Sequence, residues 1–142
     1  MERSTPAMSL TLTPQDKITM RTAAWGTVSL MAAADAAGRP HRAATHGSVA
    51  LASATGLTGH VLAEWPKGVN LRGKSVAELA DIVLPALTAA MRLLNSSDPA
   101  EAVNFRRTVL VAVEAAARTH QSEPSPTLAE MIRKITAALD AA

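Results

Sequence analysis

The chain contains no cysteine and no tyrosine, and its aromatic residues are Trp25, Trp65 and Phe105 alone. Without cysteine there is no disulfide, no thiolate metal site and no thiol nucleophile. The scarcity of aromatics argues against a β-sandwich or barrel, whose strands favour aromatic and β-branched residues at alternating positions. Charge of one sign is also thin. Fourteen Lys and Arg stand against twelve Asp and Glu, and no more than two basic residues are adjacent. A nucleic-acid partner is not expected, because phosphate binding draws on a denser basic stripe. Long apolar runs are missing too. Thr22–Ala34 is the longest strongly apolar uncharged run, well short of the ~20 residues that span a bilayer as a helix. Ala43–Ala63 also lacks Lys, Arg, Asp and Glu, but it carries His46, His60 and three glycines. No transmembrane segment is expected. Arg3 is not followed by an apolar segment of the secretory type, so the expected location is the cytoplasm.

What is present favours helix. Of the 142 residues, 48% are hydrophobic, mostly Ala, Leu, Val, Ile and Met. Ala, Leu and Met form helices readily, and Ala lets them approach closely. The length suits one domain. Residues 1–12 read as a flexible leader, and residues 13–142 as a single all-helical domain. Charge is uneven along it: residues 1–74 hold eight basic and four acidic residues, residues 75–142 six and eight.

Helix starts are clearly marked. Thr13-Pro14-Gln15-Asp16 offers a cap, a proline at the first helical position and an acid for the helix dipole. The helix is expected to reach about Ala36, with Ile18, Trp25, Val28 and Ala32 on one core-facing side, and to end at Gly38 and Pro40. A second helix is expected over His41–Thr55, stopped by Gly56, then a short helix over Leu57–Glu64 and a loop over Trp65–Lys74. Ser75-Val76-Ala77-Glu78 is a capping box. The helix behind it is expected to break near Val83–Pro85, because proline removes an amide hydrogen bond. Asp98-Pro99-Ala100-Glu101 opens a helix to about Thr119. Val109–Val113 alone could be a buried strand, but the capped start and the length favour helix. Ser125-Pro126 opens the last helix, with an apolar stripe of Leu128, Met131, Ile132, Ile135 and Leu139. The expected fold is therefore an all-α compact bundle of six or seven helices.

Few residues invite chemistry. Asp35 with His41 and His46 could form a cation loop, but it has a single carboxylate, and hard cations want several oxygens. Ser48 after His46-Gly47 lacks the Gly-x-Ser-x-Gly elbow of a hydrolase. His60 and His120 are isolated. Glu78, Asp81 and Glu101 sit early in helices, where the dipole accounts for them. Arg106-Arg107 could meet an acidic partner. Trp65 either pins its loop to the helices or offers a partner contact.

There is also an internal echo. Met31-Ala32-Ala33-Ala34-Asp35 and Glu114-Ala115-Ala116-Ala117-Arg118 lie 83 residues apart, each ending a helix before a polar loop and a further capped helix. On these two related halves the chain resembles the tellurite-resistance TerB-like helical family, over roughly 13–142. The resemblance implies an all-helical fold, an association with stress response and, in some members, acidic divalent-metal sites. It carries Asp35 over as a candidate ligand, while Arg118 stands at the matching position of the second half. The reading is a non-enzymatic protein-interaction module, acting on a protein partner or as a homo-oligomer, with no cofactor. Trp65, Arg106 and Arg107 are the candidate partner contacts. The alternatives are a divalent-cation sensor using Asp35 and a hydrolase-type enzyme using His46 or Ser48.

Overall fold

A computed structural model describes residues 12–35, 40–72, 74–118 and 125–142. These form six α-helices: α1 (Pro14–Ala34), α2 (Pro40–Ala52), α3 (Gly56–Leu62), α4 (Val76–Ser97), α5 (Pro99–Ala117) and α6 (Pro126–Asp140). Among the described residues there is no strand, and no helix is long and apolar enough to cross a membrane.

The caps follow the sequence closely. Thr13 and Asp16 form a reciprocal box, each backbone N–H donating to the other's side chain at 3.0 Å. Ser75 and Glu78 do the same at 2.8 and 3.1 Å. The Ser75 backbone N–H, followed by the Ser75 hydroxyl contact, holds the Glu78 carboxyl below its ordinary pKa. The Asp98 carboxylate accepts from the Glu101 N–H, and the Ser125 hydroxyl from the Leu128 N–H. Each bond occupies an amide that the first helical turn leaves unpaired.

α1 is the central helix and touches all five others. Its buried residues, from Met20 through Thr22, Ala23, Gly26 and Leu30 to Ala34, point in every direction. A helix that is apolar all round belongs inside. The single face expected from the sequence is therefore corrected: Val28 is buried, but Ile18, Trp25 and Ala32 are only half-buried. Small residues let neighbours close in. A Cβ on Gly26 would lie 2.5 Å from Val83 Cγ2 of α4, and one on Gly47 of α2 would lie 3.0 Å from both methyls of Val28. The buried Thr27 hydroxyl donates to the Ala23 carbonyl at 2.6 Å, which satisfies it inside its own helix.

Three expectations are revised. α4 runs unbroken through Pro85. Proline leaves the Asp81 carbonyl without its amide, but Asp81 and Pro85 are both exposed, so water can serve that carbonyl. On the opposite face Leu79, Val83, Leu87 and Leu94 are buried above and below the proline and anchor the helix. Gly56 does not stop the second helix. α2 ends at Ala52, and Gly56, at φ +68°, is the first residue of α3. Pro40 opens α2 instead of closing α1, as proline at a first helical position does. Leu12 packs against the core. The rest of the expected leader, the loop residues 36–39 and residues 119–124 with His120 lie outside the described residues.

α6 lays Leu128, Met131, Ile135 and Leu139 on the core, with Ile132 half-buried. The Thr88 hydroxyl of α4 donates to the Ala138 carbonyl at 2.7 Å and ties the two helices. α5 contributes Phe105, Val109 and Val113 to the core and pairs with α2.

Candidate functional site

α3 is seven residues long, too short to hold itself. Its neighbours hold both ends. At its start the Glu101 carboxylate accepts the Thr58 N–H at 2.7 Å, and the Asn104 side-chain amide bridges the Thr55 carbonyl and Glu101, both at 2.9 Å. At its end Arg21 Nε donates to the Val61 carbonyl at 2.7 Å, and Trp25 Nε1 to the Leu62 carbonyl at 3.2 Å. Desolvation raises the Glu101 pKa, but the bonds from Asn104 and Thr58 outweigh it and hold the carboxyl below its ordinary value. The sequence assigned Glu101 to the dipole of its own helix. The structure gives it to a second helix 43 residues back in the chain, a pairing that no local pattern shows.

Trp65 packs on Trp25 with ring centroids 5.4 Å apart and the planes tilted by 49°. It pins its loop in this way, although it remains 44% exposed.

Besides Trp65, the large hydrophobics that stand exposed among the described residues are Val49 (60%), Val103 (58%) and Val111 (45%). Those three lie on α2 and α5. Between these helices run two adjoining concavities of about 200 and 500 Å³ that share Ala50 and Val111. One end carries Arg107 with Asn104 and Thr55, and the other carries Arg118 with His46. Val103, Arg107, Val111 and Ala115 are four residues apart, so they form one row along α5, and Arg118, the capping residue just after the helix, follows three residues on. The opposite row, Phe105, Val109, Ala112 and Ala116, is buried. The run Val109–Val113 is thus split between core and surface, a division that the surrounding helix imposes.

Among the described residues no carboxylate lines the groove. Ser48 is half-buried and His46 exposed, and their two-residue spacing turns them to different sides of α2. Another groove, between α4 and α6, has Val76, Ala80 and Met131 beside Glu130 and Lys134. Glu130 there is engaged by Arg133.

The candidate residues do not gather in one place. Arg107 lines the α2–α5 groove. Arg106, its neighbour, reaches α6 and pairs with Asp140 at 3.0 Å. Trp65 sits with Trp25 near the end of α3. Asp35 is 2% exposed at the end of α1, where its backbone N–H donates to the Met31 and Ala32 carbonyls. Among the described residues no three His, Asp or Glu side chains come together as a metal site would require. The residues missed by the sequence are Val49, Val103 and Val111. Their signal was an apolar position out of phase with the buried row of its helix.

No family model, curated protein or solved structure matches the chain.

Proposed function

We propose that the protein is a non-enzymatic interaction module of the cytoplasm that binds a protein partner on the face formed by α2 and α5. The observation that carries this reading is that Val49 and Val111, both exposed, line one groove between α2 and α5, with Arg107 towards one end and Arg118 towards the other. Single exposed valines are ordinary, but an apolar strip rimmed by polar groups marks a contact surface. The groove offers apolar contact together with cationic side chains at its ends. The stress-response role implied by the tellurite-resistance resemblance belongs to the same proposal.

Site-specific photo-cross-linking in living cells tests it. A cross-linking residue replacing Val49 or Val111 is expected to give a discrete adduct, whereas one replacing exposed Ala137 of α6 gives none. Equal labelling from all three positions, or none from any, would overturn the reading.

A further inference from the structure

We infer that the α2–α5 groove takes an amphipathic helix from another protein, about three turns long, with carboxylates at both ends of its apolar stripe. This rests on the interaction reading above and adds the chemistry of the partner.

Three observations select that occupant. The first is shape. The groove is walled by two helices and floored by small side chains, Ala50 and Ala115 beside Val111, which admits a third helix at close range. A peptide that binds as an added strand would need a sheet edge, and the described residues contain no strand. The second is length. Arg107 lies on α5 and Arg118 caps its end with helical backbone angles, eleven residues on, so they stand about 16 Å apart along the axis, which is three helical turns.

The third is charge. α2 holds His41, Arg42 and His46 and no acid. On α5, Arg106 is paired with Asp140. Glu101 keeps its charge, because its partners are the neutral Thr58 N–H and Asn104 amide. Neither it nor exposed Glu114 lines the groove, whose charged lining residues among those described are Arg107 and Arg118. A partner therefore meets a net positive rim around an apolar floor. Acidic residues flanking an apolar stripe complement it. A second copy would bring the same positive rim against itself, which costs affinity. A nucleic acid would use the arginines but leave Val49 and Val111 uncovered.

Display selection with a helical library of about 16 residues tests this on the full chain. The baits are the wild type, Val111→Glu, Val49→Glu and the double variant Arg107→Glu/Arg118→Glu, each checked by its helical melting curve. The recovered wild-type binders are expected to carry an apolar stripe with Asp or Glu at both ends. Either valine variant should abolish their binding. The double arginine variant should weaken it about tenfold, with the difference shrinking as salt rises.

Binders that lose affinity with Val111→Glu but carry no acidic excess and ignore the arginine variant would overturn the acidic partner while leaving the interaction reading standing. No binders, or binders indifferent to both valine variants, would overturn both. Sedimentation showing a dimer of the wild type that Val111→Glu dissolves would replace the acidic partner with a second copy of the chain.

Discussion

The α1–α4 contact and the α2–α5 pair are assembled from similar residues, chiefly Ala, Val, Leu and Gly, yet they end differently. In the first, Gly26 lets Val83 of α4 press onto the α1 backbone, and Leu79, Leu87, Ala90 and Leu94 close the seam. In the second, Gly47 brings α2 onto Val28 of α1, and the inward row of α5 is buried. Among the described residues no further helix lies over the outward rows of α2 and α5, and Val49 and Val111 stand exposed. Small apolar residues thus permit close approach in both places. Whether they become core or surface depends on which sides of the helix its neighbours occupy, not on their number. α4 meets α1, α5 and α6, and α2 also meets three helices, α1, α5 and the seven-residue α3.

The sharpest way to break this comparison is to truncate one side chain in each region. Leu87→Ala removes a fully buried side chain and should cost about 2–5 kcal/mol. Val111→Ala should stay within about 0.5 kcal/mol, because Val111 is already 45% exposed. Urea unfolding followed by circular dichroism reads both. Equal losses would mean that the α2–α5 surface is as consolidated as the core.

A smaller effect tests the closed seam itself. Gly26→Ala gains helix propensity, but its methyl meets Val83 and should cost about 1–3 kcal/mol net of that gain. Combining it with Val83→Ala should cost less than the sum of the two single changes, because the second makes room for the first. Additive losses would show that the close approach is not what Gly26 provides.

The smallest effect concerns the clamp beside the groove. Glu101 has a folded-state pKa below its ordinary value of 4.5. The folded protein therefore binds its proton less readily than the unfolded chain. The resulting stability is present above pH 4.5 and is lost as pH falls through the lower folded-state value. Glu101→Gln should lower stability at neutral pH by about 1 kcal/mol and flatten the melting temperature across that acidic window. A variant with an unchanged pH profile would remove Glu101 from the clamp.

Much of the fold was legible in the chain, because its punctuation is local. Thr13, Ser75, Asp98 and Ser125 each bond an amide three residues ahead, so a few adjacent residues suffice to place four helix starts. Pro85 shows where local reading stops. Its effect depends on which side of α4 it occupies, and that side is known only once the core has chosen the other. Gly56 shows the same limit. A glycine with positive φ suits the end of one helix or the start of the next, and here α5 decides by clamping Thr55 and Thr58 through Asn104 and Glu101.

The candidate site was harder to see. Arg107 was named with Arg106 because they are adjacent, but adjacency puts them about 100° apart on a helix. One turns to Asp140 and the other into the groove. Trp65 was read as a pin or a contact surface; its ring packs on Trp25, 40 residues away in sequence.

The sequence by itself determined an all-α chain. Absent cysteines, scarce aromatics, abundant Ala and Leu and capped starts all act within a few residues of one another. Tertiary structure alone decided which apolar residues became core and which became surface. Val109 and Val111 are the same residue type in the same helix, two positions apart, and the hydrophobic effect acts on each equally. One is buried because α5 turns it inward. The other stands 45% exposed because α5 turns it outward, to a side that no helix of the described residues covers.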